Sequence, residues 1–165
     1  MKRIKKVSYQ SSYFPSSFHQ GGQQPQRVSA EFIKKLEEAI NGEATAIRFY
    51  GDLLNLVRGD RTAYDNVKHA YDDENKHFRA FVDLYVSLTG RQPSVRITPM
   101  RYTSLADAYR QAFFGELEAA ELYSDMYLMT RDPDIRDIFF MAKNDEQEHA
   151  QRFQFLYNRE LRRMG

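Results

Sequence analysis

Three features of this 165-residue sequence predict an all-α protein, an antiparallel four-helix bundle with one long crossover. Four segments repeat apolar residues at helical spacing, tight breaks separate them within each half while a long link joins the halves, and the pattern of the first half recurs in the second. The length suits one domain with a sizeable core. Residues 1–28 read as an N-terminal tail and residues 29–165 as the bundle.

The tail is dominated by Ser, Gln, Gly and Pro, with Tyr9, Tyr13, Phe14 and Phe18 scattered through it. It is either a flexible extension or an arm lying across its own bundle or a neighbouring subunit. Helix 1 is expected to follow Ser29 as N-cap, with Glu31 in its first turn. Its inward stripe is Leu36, Ile40, Glu43, Ile47, Tyr50, Leu54 and Val57, and Arg58-Gly59-Asp60 ends it. Helix 2 runs to about Thr89 with Val67, Ala70, Glu74, His77, Phe81, Leu84 and Leu88 inward, and Gly90 supplies a C-terminal stop.

Helix 3 opens at Thr103-Ser104 with Asp107 in the capping-box position, and its stripe is Leu105, Tyr109, Ala112, Glu116, Ala119, Tyr123 and Met126. Asp132-Pro133 provides an N-cap and a first-turn proline for helix 4, which carries Ile135, Ile138, Ala142, Glu146, His149, Phe153 and Leu156. The link from Gly90 to Thr103 holds Pro93 and Pro99. Extended, it spans about 46 Å, enough to run the length of a helix of about 28 residues, about 42 Å. That reach permits the one-crossover topology.

Composition narrows the function. A net charge of +1 with 28% charged residues gives no electrostatic case for nucleic acid or an anionic membrane. The absence of cysteine excludes disulfides, iron–sulfur clusters and thiolate zinc sites within the chain. No apolar run suits a signal peptide or a membrane span, so a cytoplasmic location is expected.

The chemistry lies in a motif that occurs twice. Glu74-Asn75-Lys76-His77 and Glu146-Gln147-Glu148-His149 are both Glu-x-x-His, and each is preceded about thirty residues upstream by a lone glutamate in a core position, Glu43 or Glu116. Glu43 and Glu74 lie 16 and 15 residues from Gly59, and Glu116 and Glu146 each 15 from Arg131. Every glutamate therefore stands about 22 Å from its hairpin turn, at mid-bundle. The histidines are three residues on, on the same face. Carboxylates buried unpaired would cost several kcal/mol each. A pair of divalent cations would neutralise them, and a donor set this rich in oxygen suits iron, with manganese or zinc as alternatives. A degenerate, metal-free site is the bland alternative.

Nearby residues leave more than one reading open. Asp73 and Asp145, four residues before the histidines, either accept a ligand histidine's other ring N–H or are ordinary solvated acids. Tyr50 and Tyr123, seven residues after Glu43 and Glu116, either hydrogen-bond a carboxylate, take part in redox chemistry or are plain core aromatics. His69 and His19 fit no constellation and are expected to be solvated.

From Glu43 to His149 these motifs resemble the ferritin-like superfamily, and in particular its single-domain, rubrerythrin-like branch; the resemblance covers about residues 30–160. It implies that Glu74 and Glu146 bridge two metal ions, with Glu43, His77, Glu116 and His149 completing the terminal coordination. The chain departs from the pattern at Ala119, where rubrerythrins carry a further carboxylate, and it lacks a rubredoxin-like centre, so an external electron donor is implied. No fifth helix follows helix 4, and a mineral-storing shell is not expected.

The expected function is a di-metal carboxylate oxidoreductase that oxidises Fe(II) or reduces hydrogen peroxide or dioxygen. Non-catalytic metal sequestration, or a structural role, is the rival. Nothing in the sequence points to a cavity for an organic substrate. The pairs Phe113-Phe114 and Phe139-Phe140 each leave one ring for an outer face, and a homodimer is expected through them.

Overall fold

Each helix begins where a side chain can take up its first free amides. The computed structural model describes residues 28–164 and contains α1 (Ala30–Leu56), α2 (Arg61–Thr89), α3 (Leu105–Met129) and α4 (Pro133–Met164). Ser29 Oγ accepts from the Phe32 N–H at 3.0 Å, Asp60 Oδ1 from Ala63 at 3.1 Å and Ser104 Oγ from Asp107 at 3.1 Å. Asp132 Oδ1 does the same for Asp134 at 3.0 Å, ahead of Pro133. Gly90 stops α2 at φ 68°, in the left-handed region that glycine enters without strain. The fold is the all-α class that the periodicity predicts. The tail, with His19, lies outside the described residues.

Helix direction follows from which segments share a core cluster. At one end of the bundle Phe32, Leu36 and Ile40 pack with Phe81, Leu84, Tyr123, Met126, Ile135, Ile138 and Phe139. At the other end Tyr50, Leu53 and Val57 pack with Val67, Ala70, Tyr109, Ala112, Phe153 and Leu156. Thus α2 and α3 run one way, α1 and α4 the other, and the 90–104 link must travel from end to end. It does so against α1: the Arg96 N–H donates to Asn41 Oδ1 at 2.7 Å and the Thr98 N–H to Thr45 Oγ1 at 3.1 Å. Among the described residues, no helix is long and apolar enough to cross a membrane.

The stripes differ from expectation at Ile47, Leu54, Leu88, Leu105 and Ala119, which are only part-buried. In α1 Leu53 is fully buried, whereas Leu54 is only half-buried. Towards its C-terminus the buried face of α1 turns to Phe49, Leu53 and Val57. Of the phenylalanine pairs, Phe139 is buried while Phe114 and Phe140 are about half-exposed.

Asp60 joins the first turn to the last helix. Besides capping α2, it accepts from Arg159 at 2.8 and 2.7 Å and from Arg163 at 2.8 Å, and the Arg159 guanidinium foremost holds its carboxyl down to about 2. Asp60→Ala is expected to cost about 1–2 kcal/mol in urea denaturation, mostly from the lost cap because the ion pairs are partly solvent-screened. Asp60→Asn, which keeps the cap, should cost less than half as much; equal losses would contradict this division.

A candidate dinuclear metal centre

Between the two apolar clusters the inward stripes of all four helices turn polar at the same level. Glu43 comes from α1, Glu74 and His77 from α2, Glu116 from α3, and Glu146 and His149 from α4, and all six are buried. They form two quartets, Glu43–Glu74–His77–Glu146 and Glu74–Glu116–Glu146–His149, in each of which the donor atoms lie within 4.8 Å of one another. Glu74 and Glu146 belong to both.

The imidazoles face this shared pair. His77 Nδ1 lies 3.0 Å from Glu146 Oε1, 3.5 Å from Glu74 Oε2 and 3.7 Å from Glu43 Oε1. His149 Nδ1 lies 2.8 Å from Glu146 Oε2, 3.2 Å from Glu74 Oε1 and 3.7 Å from Glu116 Oε2. Their outer nitrogens turn to the opposite hairpin: His77 Nε2 is 3.2 Å from Asp145 Oδ2, and His149 Nε2 is 3.4 Å from Asp73 Oδ2. An ionised carboxylate can only accept, so the outer nitrogen carries the proton and the inner one is left to face the glutamates. The tyrosines cross over too, Tyr50 Oη donating to Glu116 Oε1 at 2.5 Å and Tyr123 Oη to Glu43 Oε1.

His69 departs from its expected solvation. Its Nε2 lies 3.2 Å from Asp73 Oδ2 and 3.5 Å from Glu148 Oε1, and its ring stands edge-on to His149, with centroids 5.8 Å apart. It sits one turn before Asp73, so helical spacing alone placed it beside the site. The sequence also concealed a cleft of about 420 Å³ between α1 and α3, which reaches Glu43, Glu74 and Glu116.

Without cations the cluster settles its charge with protons. Burial, and then the charge of Glu74, push Glu43 and Glu116 well above their ordinary 4.5. Burial would lift Glu74 as well, but its close contacts with Glu43, His149 and His77 outweigh it and hold Glu74 low. For the histidines burial acts downward and is overcome by carboxylates, Glu146 foremost at His77 and Glu116 at His149, so both rings keep protons well above 6.5. Burial also raises Tyr50 and Tyr123, reinforced by the adjacent Glu116 and Glu43 charges.

These residues nevertheless fit cations better than protons. Glu43 Oε2, Glu74 Oε1 and Glu146 Oε1 are buried and make no hydrogen bond. Such acceptors cost about 1–3 kcal/mol each unless something electropositive takes them up. Either quartet could hold one ion, with oxygen donors in the majority.

A pH dependence follows. Stability conferred by the raised histidines is fully present below 6.5 and is lost as pH rises through their higher folded-state values. The raised glutamates act in the same direction, costing the fold progressively more above 4.5. Glu74, held low, opposes them only in acid, where its contribution is lost as pH falls below 4.5. Metal-free protein in chelator is therefore expected to lose stability as pH rises from 6.5 into the alkaline range. Calorimetry across that range checks it, and a melting temperature that is flat or rises with pH contradicts it.

Comparison with known proteins places this geometry. The chain is 33% identical over 129 residues to the uncharacterized protein YhjR of Bacillus subtilis strain 168, a match covering 76% of this chain and 86% of that one. Its fold is similar to a Desulfovibrio desulfuricans bacterioferritin whose diiron site is known in different catalytic states, at TM-score 0.69 and 20% identity over 78% of this chain and 79% of that chain. It is similar also to a dodecameric thioferritin, the bacterioferritin-related protein of Bacteroides fragilis, at TM-score 0.69 and 20% identity over 84% and 90% of the respective chains. The rubrerythrin family model matches residues 34–157, a span that takes in all six converging glutamates and histidines, and the chain belongs to the rubrerythrin family.

Proposed function

We propose that the protein is a di-iron oxidoreductase that reduces hydrogen peroxide or dioxygen at the expense of Fe(II) or of an external electron donor. The observation that carries this reading is the set of buried carboxylate oxygens left without hydrogen bonds around two inward-facing imidazole nitrogens. Glu74 and Glu146 would be shared between the two ions, with Glu43 and His77 helping to hold one and Glu116 and His149 the other. An oxygen-rich donor set favours iron or manganese over zinc, and family membership supports iron. When bound, an iron pair supplies the electrons for cleaving an O–O bond.

The chain's own residues do the remaining work. Asp73 and Asp145 fix the tilt and tautomer of the imidazoles, which keeps Nδ1 directed inward. Tyr50 and Tyr123 hold Glu116 and Glu43 by one oxygen, leaving the other for a cation. The apolar clusters above and below exclude water along the bundle axis. Access comes sideways, through the cleft between α1 and α3. Self-association as a homodimer through the exposed Phe114 and Phe140 belongs to the same reading, and an elution volume matching one chain would remove it.

Anaerobic protein loaded with Fe(II) is mixed with hydrogen peroxide or dioxygen while ferric absorbance and oxidant consumption are followed. Repeated turnover in the presence of a reductant is the expected result. A single stoichiometric oxidation that reductant cannot restart would instead assign the protein to metal sequestration.

A further inference from the structure

We propose that the cleft between α1 and α3 is a binding site for a small, uncharged organic hydroperoxide, its hydrocarbon body against the apolar wall and its oxygen end towards Glu43 and Glu116. This rests on the peroxide-reducing reading above and adds to it the class of peroxide. Size is the first argument. The cleft measures about 420 Å³, within the range of about 300–1,000 Å³ typical of small-molecule sites. Hydrogen peroxide, comparable to a pair of waters at about 30 Å³ each, would leave most of it vacant.

Chemistry is the second argument. Ala39, Ala46 and Phe49 line the cleft from α1, and Ala112, Ala119 and Leu122 line it from α3. Ala46 and Ala119 stand three residues after Glu43 and Glu116, one turn along the same faces, and their methyl groups leave open the space that a longer side chain would close. Glu43 and Glu74 line its inner end, and each has a buried oxygen, Oε2 and Oε1 respectively, without a hydrogen bond. The tyrosine hydroxyls that reach this level are already committed to Glu116 and Glu43, so a ligand's body meets mostly hydrocarbon. Glu38 and Glu118 are exposed lining residues, and their charge disfavours an anionic ligand such as a fatty acid.

The third argument is that the cleft has a built wall rather than a chance gap. Thr98 and Met100 of the crossover line it, and that segment is tied to α1 through Asn41 and Thr45 on either side of Glu43. Reduction there breaks the ligand's O–O bond. An electron pair from ferrous iron, renewed by an external reductant, and a pair of protons convert the hydroperoxide to an alcohol and water.

The test uses 2-phenyl-2-propanol, the unreactive alcohol derived from cumene hydroperoxide. Its binding to zinc-loaded protein is followed by saturation-transfer NMR and titration, for the wild type and for Ala46→Leu and Ala119→Leu, which fill the cleft from opposite walls. Binding by the wild type, weakened at least about tenfold in each variant, is expected. With iron-loaded protein, the ratio of cumene hydroperoxide to hydrogen peroxide consumption should fall in parallel. No binding by the wild type, or binding by both variants as tight as the wild type's, overturns the proposal. Hydrogen peroxide turnover without alcohol binding would sink the cleft assignment and leave the peroxidase reading standing. Alcohol binding that the variants lose, with neither peroxide consumed, would support the cleft and sink that reading.

Discussion

Replacing Glu74 with alanine is expected to abolish binding of the metal pair, together with the thermal stabilisation that the pair confers. Glu74 is shared by both quartets, so its loss leaves each with one carboxylate fewer and removes an anion facing both imidazoles. Ions held at about a thousandfold excess over their Kd stabilise the folded state by about 4 kcal/mol. For a domain of this size that corresponds to a melting temperature about 12 °C higher. Calorimetry with and without chelator, beside elemental analysis, should show the shift in the wild type and its collapse in Glu74→Ala. Glu121→Ala, an exposed change on α3, should retain it. A Glu74→Ala protein with wild-type metal content would refute the bridging role.

A comparable loss, arising from packing, is expected of Phe81→Ala. Phe81 is fully buried on α2, stacks on Phe139 with centroids 5.2 Å apart and meets Tyr123 edge-on at 5.1 Å. Its other neighbour is the His77 ring at 6.3 Å, nearly parallel to it. Truncation removes a large apolar side chain and opens a cavity, at a cost of about 3–5 kcal/mol. It also removes the surface on which His77 and Tyr123 rest, so metal affinity should fall along with stability. Phe114→Ala, at a half-exposed ring, should change stability by no more than about 0.5 kcal/mol. Equal effects of the two substitutions in urea denaturation would show that the aromatic stack does not support the site.

What could be read from the residues was whatever repeats along one helix. Ser29, Asp132, Pro133 and Gly90 marked helix ends through local chemistry, and the structure has caps or stops at those places. Equal distances from the hairpin turns brought Glu43, Glu74, Glu116 and Glu146 to one height because the rise per residue is constant. Pairings between helices were not legible in the same way. Nothing periodic distinguishes Glu43 from Glu116 as the neighbour of His77, or ties the backbone of Arg96 and Thr98 to Asn41 and Thr45. The cleft was hidden for a related reason. It arises where small residues of two helices and a crossover coincide in space, and each alanine alone reads as an ordinary helix former.

The four contacts that brace the buried glutamates and histidines all pass between the α1–α2 hairpin and the α3–α4 hairpin: Tyr50 with Glu116, Tyr123 with Glu43, His77 with Asp145 and His149 with Asp73. Each half therefore supplies the braces for the other's donors and none for its own. With two ions held as proposed, a fluctuation that separates the hairpins would unseat both together, so ion loss should be cooperative, with little population of a singly occupied form. The same reciprocity constrains sequence divergence, since a change to one hairpin's bracing residues degrades the donors of the other.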